Sequence, residues 1–368
     1  MVSMNYRVGM EGFAHIAGAP NNRGFLDQVA ALRWVQDNVA AFGGDPDKVT
    51  VFGQSAGAGS IAALLTMPIA AGLFRRAIAQ SVPGTYFSSR LAAAISATIA
   101  AELGVRATVD ELAGIPPRAL VDATDAIIQR MPELVESWGP MALTPTPFSP
   151  VVDGDILPRA PWRALADGAA RGIDVLVGHT RDEYRLFNTR LGSEVTDEQL
   201  TATLERLAPA SGAYRAVYPE ATAAQLYELV NSDWLFRMPS LHLADAHHAG
   251  GGHAWTYELC WGYNREEGAS HSLDFLLVLG TLSVDDVRRH PSAYPNATDE
   301  VIHVARHMRT DWLDFATTGD PGWAPYDPNT RSTRVYTAEP TIRPYPEERS
   351  RHIWHTHRFD TLDLLRAE

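Results

Sequence analysis

Five residues invite a chemical reading first. Gly53-Gln54-Ser55-Ala56-Gly57 matches G-x-S-x-G. A serine hydroxyl is a weak nucleophile until a neighbouring base takes its proton, so the pattern has meaning only in a particular context. That context is a tight strand-to-helix turn, which pushes the hydroxyl into a site and sets it at a helix N-terminus, where developing negative charge is stabilised. Both flanking glycines are expected to be required, because a Cβ at either place would press on the neighbouring strand or helix. The same five residues also suit an ordinary glycine turn, and the motif alone does not separate the two. A carboxylate pair, Asp182-Glu183, follows the apolar run Val175-Leu176-Val177. By itself it reads as a solvated acidic loop. Of 13 histidines, His247, His248 and His253 surround a glycine run. They lack carboxylate or cysteine partners at fixed spacing, so they read as a turn feeding a strand rather than a metal site. Gly268-Ala269-Ser270-His271-Ser272-Leu273-Asp274-Phe275 follows a strand candidate through a loop and is the better source of a base.

The elements around these residues supply the context. Val49–Phe52 is a short apolar run that enters the glycine turn, and a small-residue helix, Ser60–Leu65, leaves it. Leu26, Val29, Leu32, Val35 and Val39 recur at helical spacing, and Gly43-Gly44 stops that helix. Ala77–Gln80, Val175–Val177, Trp255–Leu259 and Thr333–Thr337 are further strand candidates, and Val2–Tyr6 could end another. Strands alternating with helices predict an α/β layer fold. Two mainly helical stretches, at about 88–138 and 194–250, read as insertions that cover the sheet or shape an entrance. The tail from Pro321 to Pro346 reads as surface loop around one strand. No segment is long or polar enough to divide the chain, so residues 1–368 read as one domain.

Composition narrows the function. The 368 residues carry a net charge of −13, and Lys48 is the only lysine. Such a balance repels phosphate backbones and argues against nucleic-acid binding. No apolar run reaches the ~18 residues that span a bilayer, which argues against a membrane partner. The single cysteine, Cys260, excludes an internal disulfide and reads as a small buried residue in a strand. With no signal-like N-terminus, a cytoplasmic setting is expected.

The whole pattern resembles the type-B carboxylesterases, which include bacterial p-nitrobenzyl-type esterases and cholinesterases. Asn5-Tyr6-Arg7-Val8-Gly9, Asn22-Arg23-Gly24-Phe25-Leu26-Asp27-Gln28, Phe42-Gly43-Gly44-Asp45-Pro46 and the Ser55 motif carry the likeness. It continues through Leu73–Ser81, Pro150–Asp155 and Trp312–Pro321. The resemblance implies an α/β-hydrolase fold, a mostly parallel sheet with helices on both faces. It also implies a serine hydrolase that cleaves small to medium carboxylic esters through an acyl-enzyme, with no cofactor and no metal. The triad would run Ser55, Glu183, His271, with Asp182 as runner-up for the acid. Tyr184 departs from the family's usual glycine. Ala56 would donate its N–H to the oxyanion, and Ser81 would sit near the triad. Gln54 stands where many relatives have glutamate, which implies neutral rather than cationic esters.

The family's other oxyanion donors lie upstream of the Asn-Tyr-Arg motif, where this sequence starts. N-terminal strands are therefore expected to be missing, leaving the strand before Ser55 at an open edge. A catalytically impaired fragment, or a non-catalytic binding member of the family, is the alternative to an active esterase.

Overall fold

The computed structural model describes residues 1–191 and 195–365. Its strands are β1 (Thr50–Gln54), β2 (Arg76–Gln80), β3 (Phe87–Ser88), β4 (Val151–Val152), β5 (Asp174–Thr180), β6 (Ala254–Leu259), β7 (Ser332–Tyr336) and β8 (Thr341–Pro344). The main sheet has the order β1-β2-β5-β6-β7-β8. Its first five strands are parallel, and β8 pairs antiparallel with β7. β3 and β4 form a separate two-stranded parallel ribbon.

Alternation along the strands divides the core. Ala77, Ala79, Val175 and Val177 pack on one face with Val29 and Leu32 of the helix Arg23–Asn38 and Ile61 of the helix Ala56–Leu64. Ile78, Leu176, Trp255 and Tyr257 point the other way, onto Met308 and Phe315 of the helix Ala297–Thr318. A strand covered on both faces reads as a continuous apolar run, which is why these segments stand out in the sequence. A third cluster, with Leu91, Ile95, Ile127 and Trp138, is the core of the first helical insertion. The second insertion contains the helices Asp197–Leu207, Ala223–Ser232 and Met238–Ala249. Its expected first residue, Glu194, lies outside the described residues, as do Arg366–Glu368 at the end of the expected domain.

Four expectations are corrected. Val2–Tyr6 is not a strand: Val2–Asn5 are exposed, Tyr6 is half-buried, and no described neighbour offers the segment a ladder. The C-terminal tail holds two strands rather than one: β8 is exposed at every residue and so carries no apolar signal. His247 and His248 end the helix Met238–Ala249, and only the residues after them turn into β6. Cys260 lies just past β6 and is half-buried.

The open edge predicted for the strand before Ser55 is present: among the described residues, β1 is hydrogen-bonded on one side only. Phe52, on that strand, is 37% exposed. An unpaired edge with an apolar side chain is a template for pairing with another chain, and a lysine there blocks it. The protein should therefore self-associate with rising concentration. Phe52→Lys should weaken that association by about tenfold, roughly 1.4 kcal/mol, as measured by sedimentation velocity over a concentration series.

Candidate active site

The strand-to-helix turn is built as the motif requires. β1 ends at Gln54, and Ser55 has φ 57° and ψ −118° before the helix begins at Ala56. A non-glycine residue at positive φ is strained, and it persists only where its surroundings hold it. Here the Ser55 N–H donates to Gln80 O at 2.8 Å, and Ser55 O accepts from Gly59 N at 2.9 Å. A Cβ on Gly53 would come within 2.7 Å of the Gly57 backbone, so only glycine lets helix and strand approach this closely. Gly57 itself faces open space, so the expected crowding at the second glycine is absent. As the first helical residue, Ala56 has no intrahelical acceptor for its N–H, which stays available to a ligand.

The carboxylate comes from the end of β5. Glu183 is completely buried. Its Oε1 accepts from Ser81 Oγ at 2.6 Å and from Thr180 N at 2.8 Å. Its Oε2 meets His271 Nδ1 in a short contact. Burial pushes this carboxyl up, but His271 and the hydrogen bonds from His271, Ser81 and Thr180 outweigh it, leaving the group below the usual glutamate range. Ser81 is held at φ 61° at the end of β2, with its N–H on Gly178 O at 2.8 Å.

Asp182, one residue earlier, has a different task. It pairs with Arg181 at 2.8 Å and Arg185 at 3.0 Å. It also accepts from Ala269 N at 2.8 Å, and its own N–H donates to Ala269 O at 2.9 Å. Asp182 thus ties down the loop that carries His271 and does not contact the imidazole. Tyr184, the departure from glycine, is buried and packs on Phe187 and Tyr227.

His271 is nearly buried, at 8% exposure. Phe236 stacks on it at 4.3 Å and Phe187 lies at 5.5 Å. Phe236 belongs to a π-helical turn, Asp233–Arg237, a rare widening that often marks functional sites. Sequence reasoning missed both rings, and no local periodicity announces a π-turn. Three residues past His271, buried Asp274 accepts from Tyr257 OH at 2.6 Å. The second hydrogen-bonding contact of the imidazole, after Glu183, is between Nε2 and the side-chain nitrogen of Gln54, at 3.0 Å.

Ser55 and His271 open into a cleft of about 540 Å³, also lined by Phe13, Phe25, Phe148, Phe187, Leu235 and Phe236. None of its lining residues is Asp, Glu, Lys or Arg. Among the described residues, no group of three or more His, Cys, Asp or Glu side chains is placed to hold a metal ion.

The scaffold under Glu183 contains a titratable group of its own. His179 on β5 is buried, with Nδ1 3.0 Å from Thr180 O and Nε2 2.9 Å from Tyr345 OH. A neutral ring satisfies both, donating from Nδ1 and accepting at Nε2. Burial, helped by Arg237, pushes its pKa down from 6.5 to about 4. Between these values the unfolded chain binds the proton and the folded chain does not. Its contribution is therefore complete above pH about 6.5 and is lost as pH falls toward 4. Denaturant melts from pH 7 to 4 should show His179→Gln losing stability less steeply than the unsubstituted protein, by on the order of 3 kcal/mol across the window.

Comparison with known proteins gives this geometry its setting. The carboxylesterase family pattern matches residues 1–354. The para-nitrobenzyl esterase of Bacillus subtilis is 37% identical over 370 residues, covering 95% of this chain and 72% of the relative. The fumonisin B1 esterase of Sphingopyxis macrogoltabida is 33% identical over 87% of this chain and 59% of its own length. A solved structure of a thermophilic PNB esterase superposes with a TM-score of 0.80 at 34% identity, over 95% of this chain and 72% of that one. A sheet whose first five strands run parallel, a serine at a strained strand-to-helix turn, and relatives of this similarity over nearly the whole sequence lead to one conclusion: the chain is an α/β-hydrolase and belongs to the carboxylesterase family, the hydrolases of carboxylic esters.

Proposed function

We propose that Ser55, His271 and Glu183 are the catalytic triad, and that the substrates are small to medium, uncharged carboxylic esters. The observation that carries the reading is the buried Glu183–His271 pair beside Ser55 in a cleft lined by no acidic, lysine or arginine side chain. With Nδ1–H given to Glu183, the neutral imidazole keeps its lone pair on Nε2, the tautomer a general base needs. Ser55 Oγ attacks the ester carbonyl carbon while its proton passes to Nε2. The tetrahedral oxygen takes the Ala56 N–H at the head of the helix Ala56–Leu64, where the helix dipole also favours negative charge. Collapse expels the alcohol, which leaves with the Nε2 proton, and Ser55 is acylated. Water then repeats the sequence: His271 takes its proton, and the carboxylic acid departs as Ser55 recovers its own. Glu183 fixes the tautomer and stabilises the imidazolium throughout.

Gln54 and the uncharged cleft support the preference for neutral esters, since no carboxylate stands beside Ser55 to attract a cation. Phe13, Phe25 and Phe148 suit an apolar acyl or alkoxy group. A single cysteine suits a cytosolic setting, and no helix among the described residues is long and apolar enough to cross a membrane.

A fluorophosphonate probe followed by peptide mass spectrometry should place its adduct on Ser55 and fail on Ser55→Ala. Labelling that survives in Ser55→Ala rejects the assignment. Glu183→Gln should lower kcat on p-nitrophenyl acetate by about 10⁴, with Asp182→Asn losing much less. In kcat/KM, a neutral ester should exceed a choline ester of equal length.

A further inference from the structure

The base of this triad is already engaged before any substrate arrives. His271 Nε2 lies 3.0 Å from the Gln54 amide nitrogen, and no hydrogen bond joins it to Ser55 Oγ among the described residues. Because Glu183 takes the Nδ1–H, Nε2 offers only a lone pair. The amide must therefore present an N–H to it. The backbone under the amide and the imidazole itself are both held in place, so the contact can be broken only by rotation of the Gln54 side chain. Gln54 ends β1 in register with Gln80, and its neighbour Ser55 is pinned to Gln80 O. The imidazole is clamped between Glu183 and the stacked ring of Phe236.

We propose that Gln54 is a positioning residue that holds His271 in a resting state by occupying the Nε2 lone pair, so that acylation of Ser55 requires the amide to give it up. The proposal rests on the triad reading above. A glutamine suits both halves of the cycle. Its N–H₂ end donates to neutral Nε2, and after a half-turn its carbonyl end can accept from Nε2–H once the ring is charged. A methionine can do neither, and a glutamate only the second. Other titratable groups near the ring are Glu183 on Nδ1, Asp274 with Tyr257, Asp182 with Arg181 and Arg185, and His179 beyond Glu183. None of them is altered in the variants.

The test is the second-order rate of fluorophosphonate labelling against pH for the unsubstituted chain, Gln54→Met and Gln54→Glu. In this reaction Ser55 Oγ bonds to phosphorus, fluoride leaves, and the hydroxyl proton passes to Nε2. Gln54→Met, with its lone pair released, should reach a high-pH plateau about two- to tenfold faster, the worth of one neutral hydrogen bond. Gln54→Glu places a carboxylate where the imidazolium forms, and should move the acid limb about one pH unit or more upward. A Gln54→Met plateau equal to or below the original overturns the proposal. An unshifted limb in the isosteric Gln54→Glu does the same, even where Gln54→Met folds poorly. An adduct on a residue other than Ser55 in the unsubstituted chain overturns the triad reading and this proposal together. An adduct on Ser55 with unchanged profiles overturns this proposal alone.

Discussion

One buried carboxylate sets the terms for the rest of the structure. Glu183 has no contact with solvent, and an ionised group in that position costs several kcal/mol unless it is fully partnered. Two of its partners come from remote stretches of chain, Ser81 after β2 and His271 on the loop after β6, and a third, Thr180, from the end of the strand just before it. They converge because β2, β5 and β6 are adjacent and parallel, which brings their C-terminal ends to one side. The sheet order is thus a condition for neutralising a single charge. Asp182 extends the arrangement by fastening the histidine loop from the other direction.

The molecule is strongly acidic overall, yet its cleft is not. The net charge of −13 says what the surface avoids. Aromatic rings and short hydroxyl side chains make up most of the cleft's lining. In such surroundings the dipoles at the head of the helix Ala56–Leu64 act with little screening, which is where preorganised hydrogen-bond donors have the greatest effect.

Much of this was legible in the sequence because burial on two faces leaves uninterrupted apolar runs. β2, β5 and β6 are buried along nearly their whole length and could be read that way, whereas β1 and β7 are only partly buried and show a weaker apolar signal. β8 could not, because every one of its residues faces solvent. The motif located Ser55, but it overstated the second glycine, since nothing crowds Gly57. The choice between Asp182 and Glu183 is invisible to composition and spacing. Resemblance favoured Glu183, and only coordinates show one carboxylate on arginines and the other on the imidazole. Phe236 was out of reach for a different reason: its direction depends on a π-turn, which leaves no mark in hydrophobic periodicity.

The one-sided pairing of β1 has a consequence for how the protein fails. Segments with few hydrogen-bonded neighbours open first, at free energies well below that of global unfolding. Among the described residues, the strand that leads into Ser55 leans on β2 alone, whereas β5, which leads to Glu183, is flanked on both sides. Amide protons of β1 therefore exchange with solvent ahead of those of β5. On warming, Ser55 loses its strained geometry while Glu183 and its strand are still intact. The temperature at which the enzyme stops turning over then lies below the temperature at which it melts.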